Sequence, residues 1–285
     1  MVGRNGTRIS WWQWPTVLSL DAPIVVIGWQ VLLASVARVR LGWPHVFVLA
    51  VSIWLSYSAD RWIEGWRLAP DAIRTARHAF YQRRRWMLLP LWIAALAADV
   101  SVALTRLSRH ELISGWLIVP PVLAYLLSHQ LVHRNHPWRV PKEICVALLL
   151  GAGAAVFPIA AAGIENGPLW LTLALFVALA FANCALISVW EAEVDRSHGQ
   201  TSLALRSGGH GWIHRVPWVV AGLAALLGVM ADGSLRIAVS CAVSSAILLG
   251  IVDVLHLKLG WRVSRVLVDA ALITPLIAMA FGYVP

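Results

Sequence analysis

The chain has 285 residues, 59% of them hydrophobic and only 13% charged, with a mean hydropathy of +0.72. Water-soluble domains carry about 25% charged and about 45–50% apolar residues, so this composition excludes an ordinary soluble enzyme, a disordered tail, a collagen-like fibre and a disulfide scaffold. The net charge of +9 is dispersed between apolar runs, which argues for membrane topology and against nucleic acid as a partner.

Nine apolar runs follow one another, over 18–37, 44–64, 86–105, 112–132, 144–163, 169–190, 212–231, 235–255 and 263–281. Each is about the length that crosses a bilayer core. All are expected to be helical, because a lone segment in lipid must satisfy its own backbone hydrogen bonds. Arg4 and Arg8 precede the first run and no small-residue cleavage site follows it, so it reads as a retained span. No room is left for a separate soluble domain, and 1–285 reads as one transmembrane domain. Of the 23 Lys and Arg residues, only five (Arg38, Arg40, Arg106, Arg109 and Arg236) fall on the side opposite the amino terminus. That bias predicts a cytoplasmic amino terminus, and a multi-pass protein of the cytoplasmic membrane if the source is bacterial. Many of the 17 tryptophans sit near span ends, as in an interfacial belt. Cys145, Cys184 and Cys241 each stand alone in an apolar run and read as small hydrophobes.

Between the second and third runs, Pro70 and Asp71 signal a helix start. Ala72, Ile73, Ala76 and Phe80 would give it an apolar face, as a cap over the bundle or a plain surface helix. His129, His133 and His136 lack an adjacent acid, which argues against a metal site. Asp99, Asp253 and Asp269 fall in or near spans, where carboxylates pair with a base or line water.

The acidic residues at two span ends carry the chemistry. The second run closes on Tyr57-Ser58-Ala59-Asp60-Arg61-Trp62-Ile63-Glu64, the sixth on Trp190-Glu191-Ala192-Glu193-Val194-Asp195-Arg196. Asp60 with Glu64, and Glu191 with Asp195, are four apart, which on a helix stacks both carboxylates on one face. Such pairs either are solvated helix ends or hold something cationic. Mg²⁺ suits them, since it favours a few carboxylates plus substrate phosphates. Two pairs at the same membrane face could hold Mg²⁺ on either side of a diphosphate.

These motifs resemble those of the UbiA superfamily of intramembrane prenyltransferases, nine-helix proteins with Asp-rich motifs after the second and sixth helices. Asp60 and Glu64 match the last two acids of Asn-Asp-x-x-Asp-x-x-x-Asp. Glu191, Asp195, Gly199 and Ser202 match the second motif at its spacing. Leu20-Asp21-Ala22-Pro23-Ile24 is similar to the family's Asp-Lys-Pro opening, and the stretch from Arg139 to Pro158 to its basic loop and fifth helix. The chain departs from the pattern in having Ser56 and Tyr57 for Asn-Asp, and one Glu in each acid pair.

The resemblance implies an all-α bundle of nine transmembrane helices that ionises an isoprenyl diphosphate with Mg²⁺ and passes the prenyl group to a lipophilic, usually aromatic, acceptor. Asp60, Glu64, Glu191 and Asp195 would then be the catalytic metal ligands. Ser56, Arg61, Arg139, Lys142 and Arg196 would meet the diphosphate, guanidinium groups being suited to bidentate phosphate contact. Tyr57, Asn183 and Trp190 would line the substrate pocket, where aromatic faces attract a cation. A membrane-embedded terpene cyclase is a variant of the same chemistry. A transporter or lipid-binding protein without catalysis is the rival from another class, although no inverted repeat is evident. Oligomeric state is not legible.

Overall fold

The computed structural model describes residues 9–67, 75–128, 140–197, 202–206 and 210–283, apart from the side chains of Glu64, Arg67 and Ser197. Among the described residues seven helices are long and apolar enough to cross a membrane, and two bent pairs bring the number to nine if each is one span. The first span is a short helical segment, Trp11–Val17, that meets α1 (Asp21–Val36) at 75°. It is followed by α2 (Trp43–Arg67), the short α3 (Ala76–Arg83), α4 (Arg85–Arg106) and α5 (Arg109–Leu127). Next come α6 (Lys142–Ala162), α7 (Gly167–Trp190), α8 (Ile213–Met230) and α9 (Gly233–Leu259). The last span is α10 (Trp261–Ala270) and α11 (Thr274–Ala280), bent by 52° at their junction. The protein is a multi-pass integral membrane protein.

Helix ends follow local chemistry. Asn166 caps α7 by accepting from the Leu169 amide at 3.0 Å, with Pro168 in the first turn. Ser108 and Glu111 form a reciprocal capping box at the start of α5. The bend before α1 turns on Ser19, whose φ of 61° is left-handed, a conformation that costs a non-glycine residue about 1–2 kcal/mol. Contacts hold it there. Arg61 Nη1 donates to Ser19 Oγ and, at 2.8 Å, to the Thr16 carbonyl, while Ser19 Oγ shares a 2.9 Å hydrogen bond with the Tyr81 hydroxyl.

Packing is built from small residues, as expected where lipid is as apolar as leucine and close backbone approach must supply the attraction. On α6 the buried face is Ala147, Gly151, Ala154, Ala155 and Pro158, and on α9 it is Ala238, Ala242, Ser245 and Ala246. These helices and α1 pack on α7, the middle of the bundle. Asp99 is the one buried residue on the peripheral α4, and it accepts from Ser52 Oγ at 2.8 Å. A Cβ at Gly151 would collide with Val177 Cγ2 and press Leu173 Cδ1 at 3.4 Å. Gly151→Ala is therefore expected to lower stability by about 1–3 kcal/mol by forcing α6 from α7. Thermal unfolding in detergent checks this, and an unchanged midpoint would show that Val177 yields freely.

The helix anticipated from Pro70 lies at Ala76–Arg83 instead, with Thr75 as its N-cap; residues 70–74 lie outside the described residues, as do His129, His133 and His136. Its buried face is also not the apolar one expected. His78 and Tyr81 point inward, while Ala76 and Phe80 are half-buried. Phe80 instead meets Trp14 edge-on at 5.9 Å.

Candidate functional site: a carboxylate-lined cavity

A cavity of about 190 Å³ opens at the end of the bundle where α2 and α7 finish. Asp60 of α2 lines it together with Glu191 and Asp195. Acids from two helices thus meet in one chamber. Helix α7 ends at Trp190 and Glu191 is its cap, yet the Asp195 amide donates to the Glu191 carbonyl at 2.8 Å. One turn of helical register therefore survives across the break and keeps both side chains on the same side. Glu64 lies one turn beyond Asp60 on α2, and its side chain is outside the description.

Each acid of the second pair is held by a cation from elsewhere. Arg77 Nη2 of α3 donates to Glu191 Oε2 at 2.8 Å, and Lys142 Nζ, at the start of α6, donates to Asp195 Oδ1 at 2.9 Å. The second oxygen of each carboxylate, Glu191 Oε1 and Asp195 Oδ2, is buried and has no hydrogen-bond partner among the described residues. Two orphaned anionic oxygens in one chamber fit a hard cation. Among the described residues no three His, Cys, Asp or Glu side chains stand close enough to hold a metal unaided.

Burial would raise the Glu191 carboxyl, but Arg77 first, then Arg265 and Lys142, outweigh it and hold the group at about 2 against an ordinary 4.5. The folded-state value is the lower one, so the stabilisation from this carboxylate is complete above the unfolded value and is lost as pH falls through the folded one. The wild-type advantage in melting temperature over Glu191→Gln should accordingly stay constant at neutral pH and shrink between about pH 4.5 and pH 2. A gap unchanged at the bottom of that window would contradict the ion pair.

Deeper in the cavity, Asn183 Nδ2 donates to the Val268 carbonyl at 3.0 Å and to Asp269 Oδ1 at 3.1 Å. Arg265 Nε stands 3.8 Å from Asp269 Oδ2, and Asp21 completes the polar wall. The floor is apolar, with Val25, Leu150 and Phe176, the last stacked on Trp29 at 4.9 Å. The chamber is thus anionic and cationic at its mouth and hydrocarbon at its end.

No protein-family model matches the chain, and no curated protein does. A solved apo structure of a UbiA homolog from Aeropyrum pernix K1 is similar to it, at 18% identity and a TM-score of 0.62. The match covers 91% of this chain and 97% of the other. This is the UbiA fold.

On that UbiA-like bundle the sequence-derived site residues separate into those that reach the cavity and those that do not. Asp60, Glu191, Asp195, Tyr57, Asn183, Lys142 and Arg61 line it. Arg61 is also the tie to Ser19 and Thr16, and lies over the Tyr57 ring at 5.8 Å. Three others are not among the lining residues. Ser56 Oγ turns back to the Ser52 carbonyl at 2.9 Å. Arg196 is exposed, being about 100° round the helix from Asp195. Trp190 stacks on His256 at 5.5 Å. Arg139 and Gly199 lie outside the described residues, and Ser202 is buried.

The sequence reading missed Arg77, Glu143, Arg265 and Asp269 as cavity residues. Arg265 and Asp269 carried a legible signal, an i, i+4 pair of opposite charge inside an apolar run. Arg77 carried none. Asp253, the remaining span carboxylate, pairs with His214 at 2.8 Å outside the cavity.

Proposed function

We propose that this protein is a UbiA-type intramembrane prenyltransferase that uses Mg²⁺ to ionise an isoprenyl diphosphate and transfers the prenyl group to a lipophilic, aromatic acceptor. The observation that carries the reading is the convergence of Asp60, Glu191 and Asp195, from two helices, on one chamber with an apolar floor. Glu191 Oε1 and Asp195 Oδ2 offer free oxygens to the metal, with Asp60 and Glu64 as the opposing pair. Bound there, Mg²⁺ would neutralise the charge that develops on the leaving diphosphate.

The chain's own groups do the rest. Lys142 and Arg77 sit at the mouth, where their N–H groups can turn from the carboxylates to phosphate oxygens. The prenyl tail lies towards Phe176 and Leu150, and Tyr57 presents a ring face to the allylic cation. The prenyl C–O bond breaks with its electron pair leaving on diphosphate, and a carbon–carbon bond to the acceptor ring forms as the ring gives up a proton. The Lys and Arg bias supports a mouth that faces the cytoplasm together with the amino terminus.

The deciding experiment incubates purified protein with geranyl, farnesyl and geranylgeranyl diphosphates, with and without Mg²⁺, and scores pyrophosphate by mass spectrometry. Mg²⁺-dependent release with an acceptor supports transfer. Hydrocarbon products without acceptor indicate a cyclase. No release, with solute uptake into proteoliposomes, indicates a transporter.

A further inference from the structure

A second cavity of about 180 Å³ lies on the other face of α2, between it, α3 and α4. Its wall includes Trp54, Trp62, Trp92, Tyr81 and Leu88. Every polar atom of those aromatics is already engaged. Trp54 Nε1 donates to the Leu18 carbonyl, Trp62 Nε1 to that of Arg85 and Trp92 Nε1 to that of Leu55, at 3.0–3.2 Å. The Tyr81 hydroxyl bonds Ser19, and the wall's Ser58 hydroxyl donates to the Leu55 carbonyl. What remains to an occupant is hydrocarbon surface.

Between the wall residues Tyr81 and Leu88, the turn from α3 to α4 is Arg83-Arg84-Arg85. Leu88 and Leu89 of the pocket follow Arg85 by one helical turn. Among the described residues none of the three arginines has a carboxylate partner. Two are stacked on rings, which leaves the N–H edges of their guanidinium planes available, apart from a weak donation of Arg84 Nη1 to Met87 Sδ at 3.7 Å. Arg85 lies over Trp66 at 4.4 Å and Arg84 over Phe80 at 5.9 Å. The positive-inside rule accounts for arginines at this end of the spans. It does not account for three without a carboxylate partner, set one turn from an open apolar pocket.

We propose that this lateral site binds an anionic phospholipid from the surrounding bilayer, its phosphate under Arg83, Arg84 and Arg85 and the start of one acyl chain between the tryptophans. The charge selects the head and the fully satisfied wall selects the chain. The site is independent of the catalytic reading, since it lies across α2 from Asp60.

Native mass spectrometry of the full-length, delipidated protein tests it with phosphatidylglycerol, phosphatidylcholine of matched chains, and inorganic phosphate. Phosphatidylglycerol should be retained about tenfold better than phosphatidylcholine. Arg84→Gln with Arg85→Gln should erase that preference, and Ala59→Leu, which fills the pocket, should weaken retention with all arginines present. Equal retention of the two lipids overturns the proposal, as does displacement by inorganic phosphate alone. Because Ala59→Leu could unfold the protein, phosphatidylglycerol with a diazirine-tailed chain supplies a wild-type measurement. Its crosslinks should map to 54–63 and 88–92, and labelling spread over all lipid-facing helices overturns the site.

Discussion

Asp195→Asn is expected to cut Mg²⁺-dependent pyrophosphate release by about a hundredfold or more, with little change in melting temperature. The amide keeps an oxygen for Lys142 Nζ, which lies 2.9 Å from Asp195 Oδ1. It removes the negative charge and offers an amide where the unpartnered Oδ2 now stands. Fold and charge are thereby separated. Asp195→Ala does not separate them, because it also takes this acceptor from Lys142, whose side chain is 26% exposed. A fully buried pair loses 3–5 kcal/mol on such truncation, so about 1–3 kcal/mol is the scale here, water reaching part of the ammonium. Steady-state release rates and thermal unfolding, measured on both variants, distinguish the two losses. Wild-type turnover by Asp195→Asn would remove this carboxylate from the reaction.

Trp29→Ala is expected to be the most damaging single truncation for stability, at about 3–5 kcal/mol. The indole is fully buried, stacks on Phe176, and donates through Nε1 to the Leu272 carbonyl at 3.0 Å. Leu272 lies in the break between α10 and α11, where helical hydrogen bonding is interrupted. A buried carbonyl left without a donor costs about 1–3 kcal/mol, so Trp29→Phe should retain the ring stack and lose roughly that amount. Thermal unfolding in detergent orders the three proteins. Equal midpoints for Trp29→Phe and wild type would show that the indole N–H carries no weight.

Length and apolarity made the seven continuous spans and the two bent pairs legible, because a bilayer imposes one dimension on every crossing. The interruptions were harder to see. Ser19 sits within an apolar run and holds a left-handed φ through contacts to Arg61 and Tyr81, neither of them local. The second break had a local mark in Pro275, two positions into α11. In the site, the four-residue spacing of Glu191 and Asp195 was enough to bring both into the cavity, since helical register persists past Trp190. Ser56 stays off the cavity wall for the opposite reason. It shares a face with Asp60 by spacing, but a serine in a helix can satisfy itself on the carbonyl four residues back. Trp190 and Arg196 each neighbour a cavity acid in sequence and are turned away by the rotation of one residue. The cations that hold the acids come from 77 and 142, and no local pattern distinguishes Arg77 from the other arginines around it.

Asp21 opens α1, whereas Arg265 and Asp269 belong to α10, and all three border the same chamber. The bond from Trp29 to Leu272 joins positions 243 residues apart. A ribosome delivers the first of these segments long before the last. The chamber therefore lacks one wall until the last span enters the bilayer, and a polypeptide halted short of it would carry every motif acid around a chamber open on one side.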